Sequence, residues 1–271
     1  MNATILSFLN FKGGVGKTST TALTSYNLAK MGYKVLTIDF DPQANLTSLF
    51  LKTKSIQTGD QVITINTALM TAINNKVDLN DIAINIMKNL YLVPNAVDFS
   101  MYSRYLDKNI KTEKEKVYFF KNYIRPLRSK YDFIFIDVPP TISLSNDTAF
   151  NACDQIIVVL QTQERSLSGA EVLIEYLQKT LIDEFDSQVD VMGILPVLSK
   201  RNAAVDEEIL NSAIKKFGEK NVFQNKIMLM ERIKRMDMTG ITDNSHDLWD
   251  KKVHQSFTGV AEEILKRLGD K

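Results

Sequence analysis

A chain of 271 residues that is 44% hydrophobic and 24% charged can bury one sizeable core without needing a second domain, and its formal net charge is only +1. No apolar run approaches the length of a membrane span, and the first ten residues lack both the basic start and the cleavage pattern of a signal peptide. One cysteine, Cys153, excludes a disulfide framework within the chain and is too few for an iron–sulfur or zinc cluster, so a cytoplasmic protein is expected.

Along the chain, short β-like runs alternate with helical ones. That alternation predicts an α/β fold, a mostly parallel sheet with helices on both faces. Strands are expected over residues 5–9, 35–38, 90–93, 133–136, 156–160 and 191–195, several of them rich in Ile and Val. Helices are expected over 17–31, 117–130, 167–185, 204–217 and 257–268, the first ending at Gly32, which lacks the Cβ that would strain a left-handed cap. The polar stretch 52–61 reads as a loop. Residues 1–271 read as one domain, with a helical elaboration at about 52–130 that excludes the strand near 90–93.

The first apolar run, Thr4 to Leu9, leads into Phe11-Lys12-Gly13-Gly14-Val15-Gly16-Lys17-Thr18-Ser19 and then a helical segment. Strand, glycine-rich loop and helix in this order form a phosphate cradle. The glycines let the backbone turn and aim N–H groups at phosphate oxygens, and the helix adds the positive end of its dipole. A nucleoside triphosphate is the expected ligand, with Lys17 on the β- and γ-phosphates and the Thr18 hydroxyl on Mg²⁺. Phe11 stands where the generic pattern has glycine, and a second lysine, Lys12, precedes the paired glycines.

The next strand ends in Asp39-Phe40-Asp41-Pro42-Gln43-Ala44-Asn45, which puts carboxylates where open α/β sheets bind ligands. Asp-Pro-Gln taken alone is a turn former. Further on, Tyr131-Asp132-Phe133-Ile134-Phe135-Ile136-Asp137-Val138-Pro139-Pro140 has the form of a Walker B strand, and Asp137 would hold Mg²⁺ through water. In isolation, such an aspartate is often only a helix cap.

The last third carries a local basic excess. Between positions 200 and 235, nine basic residues face five acidic ones. A basic surface on a near-neutral protein suits weak, salt-sensitive, sequence-independent contact with DNA phosphates, although charge runs are commonly just solvated helix faces.

Taken together, Lys-Gly-Gly-Val-Gly-Lys-Thr-Ser at 12–19, Asp-Phe-Asp-Pro-Gln-Ala-Asn at 39–45 and Asp-Val-Pro-Pro at 137–140 resemble the ParA/MinD group of ATPases with a deviant Walker A phosphate-loop (P-loop) NTPase fold. Segments 89–96 and 161–169 are weaker matches, and the resemblance reaches from residue 5 to about 200. It implies ATP and Mg²⁺ as ligands, with Gly13, Gly14, Val15, Gly16, Lys17, Thr18 and Ser19 around the nucleotide. Lys12 would reach the nucleotide of a facing subunit in an ATP-dependent homodimer. Asp41 would position or activate the attacking water, and Asp39 would lie nearer the magnesium shell. The ParA reading further implies a bacterial, nucleoid-associated partition ATPase. It would bind DNA non-specifically through Lys200, Arg201, Arg232, Lys234 and Arg235, and a ParB-like centromere-binding protein would stimulate its release. The MinD alternative shares the nucleotide motifs but needs a terminal amphipathic helix for a membrane surface. Phe257, Val260, Ala261, Ile264, Leu265 and Leu268 do recur at helical spacing, but a core-packed closing helix is the expectation, because Glu262, Glu263 and Asp270 interrupt the stripe. His246 and His254 read as structural or surface residues.

Overall fold

The strands alternate their side chains between two apolar layers, and that alternation organises the molecule. The computed structural model describes residues 2–59, 62–162, 164–199 and 204–269. From the N-terminus run β1 (Thr4–Leu9), α1 (Lys17–Lys30), β2 (Val35–Asp39), α2 (Asn45–Thr58), α3 (Leu69–Asn75), α4 (Leu79–Ile82), β3 (Ile84–Met87) and β4 (Leu90–Val93). There follow α5 (Tyr102–Asn109), α6 (Glu113–Ile124), β5 (Phe133–Asp137), α7 (Leu144–Ala152), β6 (Gln155–Gln161) and α8 (Glu164–Tyr176). The chain continues through β7 (Asp190–Ser199), α9 (Ala204–Phe217), β8 (Ile227–Met228), α10 (Glu231–Thr239) and α11 (Leu248–Gly269). The eight strands form one sheet in the order β3-β4-β2-β5-β1-β6-β7-β8, parallel except for the β3–β4 hairpin. Strand β1 lies between β5 and β6, where the winding direction reverses and open sheets leave a crevice at their C-terminal edge.

Ile5, Leu9, Leu36, Ile38, Ile134, Ile136 and Ile156 face a layer with residues of α3, α5, α6, α7 and α8. Leu6, Phe8, Val35, Phe133, Phe135 and Ile157 face the other, with residues of α1, α2, α10 and α11. Helix α1 is buried along nearly its whole length because α11 covers it. Buried Asn27 of α1 is hydrogen-bonded: it donates to Leu23 O, and its Oδ1 faces His254 Nδ1 and the Thr258 hydroxyl of α11. The stripe Phe257, Val260, Ala261 and Ile264 is buried there, which spends the face that the membrane alternative needs. His254 is buried in the same packing, and His246 is exposed. Gly32, at φ +103°, closes α1 through Tyr33 N–H to Leu28 O and Gly32 N–H to Ala29 O, a Schellman end.

The structure departs from the expected elements in identifiable ways. Residues 52–58 are not loop but the second half of α2, whose buried side, Leu46, Leu49, Phe50 and Thr53, lies mostly upstream of the polar stretch. Helix α6 starts earlier than expected because Thr112 and Glu115 form a capping box. The helical region 62–130 contains the unexpected strand β3, joined to β4 by a tight turn with Asn89 at φ +67°. Helix α8 continues as a π-helical stretch, Leu177–Glu184, and α11 begins about two turns before the apolar stripe.

Helix α10 is joined to the sheet through α2. Ile241 N–H donates to the Thr53 hydroxyl at 2.9 Å. Gly240 ends α10 at φ +68°, and a Cβ there would sit 2.8 Å from Thr53 N and 2.9 Å from its Cα. Only glycine fits that approach. Gly240→Ala is expected to destabilise the protein by about 2–4 kcal/mol in urea unfolding, combining backbone strain with overpacking.

Candidate functional site

The loop after β1 is pinned before it turns. Asn10 is buried, donates to Val159 O of β6 at 2.6 Å and accepts from Lys12 N–H at 2.7 Å. Gly14 and Gly16 take positive φ values of 72° and 88°, and α1 begins at Lys17 with no side-chain cap on its first turn. Its N-terminal N–H groups thus face the loop, the arrangement that receives an anion. Lys17 is 7% exposed and its Nζ donates to Lys12 O at 3.3 Å. Burial lowers its pKa, while Asp137 and Asp41 work in the other direction. Lys12 is exposed, with Nζ 3.5 Å from Gln161 Oε1.

Asp39 and Asp137 are register partners at the ends of β2 and β5, and both are almost fully buried. Asp39 Oδ2 accepts from Thr47 N–H at 2.8 Å and the Thr47 hydroxyl at 2.7 Å, and Oδ1 accepts from Asp41 N–H at 3.2 Å. Burial pushes Asp39 up to about 6 despite these donors. Asp137 is pushed up to about 8 by burial and then by Asp39, with the Thr18 hydroxyl and Lys17 opposing. Thr21 donates to Asp137 Oδ1 at 3.4 Å, and Oδ2 is buried without a hydrogen-bond partner among the described residues. An orphaned carboxylate oxygen beside the Thr18 hydroxyl fits a hard divalent cation, whose charge would offset both causes of the shift. Asp41 is half-buried at the rim, and its Oδ1 accepts from Gln43 N–H at 2.9 Å in an Asx turn.

Two further residues hold this edge. Asn95, 1% exposed after β4, donates from Nδ2 to Asp41 O at 3.1 Å, and its N–H donates to the Thr47 hydroxyl at 2.9 Å. Asn146, buried on α7, donates to Pro139 O at 3.0 Å and so fixes the turn after Asp137. Neither was among the sequence-derived candidates. The available clue to Asn95 was its place directly after a strand adjacent to β2.

The basic candidates separate. Lys200 and Arg201 lie outside the described residues. Arg232 is engaged within the chain: its Nε donates to Asp250 at 2.6 Å and its Nη2 to Asp247 at 3.2 Å, which clasps α10 to α11. Lys234 pairs with Glu231 at 2.8 Å on an exposed face, and Arg235 is exposed one turn after Arg232.

A family model described as an AAA domain matches residues 3–191. The chain is similar to the chromosome-partitioning ATPase Soj of Treponema pallidum (strain Nichols), at 25% identity over 269 residues, 98% of this chain and 98% of that protein. Among solved structures, a Cyanothece McdA variant in complex with ATP superposes with a TM-score of 0.80 at 21% identity, covering 97% of this chain and 96% of that one. Cobyrinic acid a,c-diamide synthase from Mycobacterium smegmatis, with a bound ATP analogue and magnesium, superposes at 0.79 and 19% identity, covering 98% and 95%. At such identities the two superpositions establish the fold, and the fold alone does not choose between their activities.

Two outcomes are expected. Thr47→Val, which keeps shape but removes the hydroxyl shared by Asp39 and Asn95, should lower stability by about 1–3 kcal/mol in urea unfolding. Asp39 and Asp137 have folded pKa values above that of an unfolded carboxylate, so the native state holds protons that unfolding releases. The stability of the ligand-free protein should therefore fall as pH rises from about 4 to about 8. Asp137→Asn should flatten that slope and raise the unfolding midpoint at pH 8.

Proposed function

The chain belongs to the AAA-domain ATPases of the ParA/Soj type, and we propose that it is a DNA-partition switch in which bound ATP creates a dimer that grips DNA and hydrolysis releases it. The observation that carries this reading is the pairing of the Lys17 loop with two buried strand-end carboxylates, together with the exposed second lysine, Lys12.

In this reading the loop N–H groups and Lys17 bind the triphosphate, with Gly13, Gly14, Val15, Gly16 and Ser19 lining it. The Thr18 hydroxyl and, through water, Asp137 hold Mg²⁺, which neutralises charge on the phosphate oxygens. Asp41, at the rim and held by Asn95, orients the water that attacks the γ-phosphorus. Asp39 acts from behind the metal shell by fixing Asp41 N–H and the start of α2. Such a site works by position and charge without a covalent intermediate, so it can be slow until a partner completes it.

Lys12, exposed beside the loop, is proposed to reach the phosphates of a facing subunit, where a charge-assisted contact would form. The same edge exposes three apolar side chains, Val97 at 77%, Met101 at 45% and Ile142 at 56%. Covering them is what a sandwich dimer would do. DNA contact is assigned to Arg235 and Lys234 on α10, which Arg232 braces, and to Lys200 and Arg201. A dimer doubles this patch, and phosphate contacts of this kind are sequence-independent and salt-sensitive. A ParB-like protein on the DNA cargo is the proposed stimulator, with the cytoplasmic nucleoid as the surface. Among the described residues no helix is long and apolar enough to cross a membrane.

With ATP and Mg²⁺ at low salt, the protein is expected to sediment with plasmid-length DNA and to ignore anionic vesicles; the reverse result would favour the membrane-cycling reading. Lys17→Ala should abolish ATP-dependent DNA binding, and Asp41→Ala should hold the protein in the DNA-bound dimer. Arg235→Glu should weaken DNA binding at least tenfold, by about 1.4 kcal/mol or more, while leaving ATP-dependent dimerisation intact in sedimentation velocity.

A further inference from the structure

Phe11 stands where the generic phosphate loop has glycine, and its ring has a defined neighbour. The rings of Phe11 and Tyr176 meet edge to face, with centroids 5.6 Å apart and planes at 81°. Tyr176 closes α8 at the point where the helix turns π-helical, and its hydroxyl donates to Asp147 Oδ1 at 2.6 Å. Asp147 is buried on α7, the helix that follows the Pro139-Pro140 turn. Burial raises its pKa to about 6, so near neutral pH it is a carboxylate and accepts the phenolic proton in a hydrogen bond.

The two halves of the loop differ in support. A Cβ on Gly13 would touch Pro140 at 3.8 Å, whereas one on Gly14 or Gly16 would meet nothing within 4 Å. The glycine-rich half is therefore supported at its first residues and, between Gly14 and Gly16, by the buried side chain of Val15. A loop with this much backbone freedom loses affinity to ordering unless it is aimed before the ligand arrives.

We propose that Tyr176, anchored by Asp147, is a positioning residue for the phosphate loop: it fixes Phe11 and through it the backbone of Lys12 and Gly13. The inference rests on the nucleotide-binding reading above. Tyr176 touches no phosphate itself; its contribution is a preformed loop, so it is read out in nucleotide affinity. If the pair were packing alone, its loss would appear in global stability without a matching change in affinity.

The test is a double-mutant cycle on the full chain, with ATP affinity measured by calorimetry in Mg²⁺ and urea unfolding measured without nucleotide. Phe11→Ala and Tyr176→Ala should each weaken ATP binding about three- to tenfold, the range expected for an aromatic pair. The double variant should be no weaker than the worse single one, and Tyr176→Phe, which keeps the ring on Phe11 but loses the Asp147 anchor, should bind ATP more tightly than Tyr176→Ala and less tightly than the parent chain. Additive losses, or a lowered unfolding midpoint with unchanged affinity, would overturn the proposal. A Lys17→Ala control separates the two levels: if it binds ATP normally, the nucleotide reading itself falls, whatever the cycle gives.

Discussion

Two carboxylates buried side by side, Asp39 and Asp137, are the constraint around which this molecule is arranged. The parallel register of β2 and β5 places them together, and β1 delivers Lys17 next to them. Negative charge in that position is costly without compensation, and the surrounding residues supply it in different ways. Asp39 is compensated internally by three hydrogen bonds from Thr47 and Asp41. Asp137 keeps one oxygen without a hydrogen-bond partner among the described residues, and burial lowers the pKa of Lys17 while Asp137 and Asp41 oppose that shift. In the proposed function, a metal–triphosphate complex would bring a cation for Asp137 and anionic oxygens for Lys17.

The way Asp39 is compensated gives the switch its reach. Two of its three donors, the N–H and hydroxyl of Thr47, sit on the first turn of α2, so the position of α2 is tied to the nucleotide edge. Two turns further along the same helix, Thr53 carries Ile241 and Gly240, the residues that end α10. Helix α10 bears Arg235 and is clasped to α11 by Arg232. One rigid helix therefore connects the loop holding Asp41 to the basic surface proposed to meet DNA. A change at the γ-phosphate that moved Asp41 would act on α10 through α2 without needing a separate path.

Most of the central fold was legible in the sequence because its signals are local. Glycine spacing, an apolar run before a carboxylate and alternating short strands each lie within about ten residues, and the six expected strands are present, β4 with the expected bounds and the other five longer. Strands β3 and β8 were missed because they are short and owe their existence to pairing partners. The end of α2 was misread because its polar side chains face solvent while its buried side lies upstream. In the site, Lys17, Asp39, Asp41 and Asp137 converge as the motifs implied. Asn95 and Thr47 escaped notice because their link spans 48 residues and uses a backbone N–H. The ion pairs of Arg232 were hidden for a related reason: its acidic partners, Asp247 and Asp250, follow it by 15 and 18 residues, beyond any helical spacing.

The central claim, that Lys12 completes the site of the facing subunit, has a direct test in subunit mixing. Lys12→Ala lacks only the trans lysine, and Asp41→Ala lacks only the water-orienting carboxylate, so each alone should hydrolyse ATP poorly. Mixed in equal amounts with ATP, Mg²⁺ and DNA, they should regain hydrolysis, because a mixed dimer contains one intact composite site. If the mixture hydrolyses no faster than the two variants measured separately, Lys12 acts within its own subunit and the account is wrong.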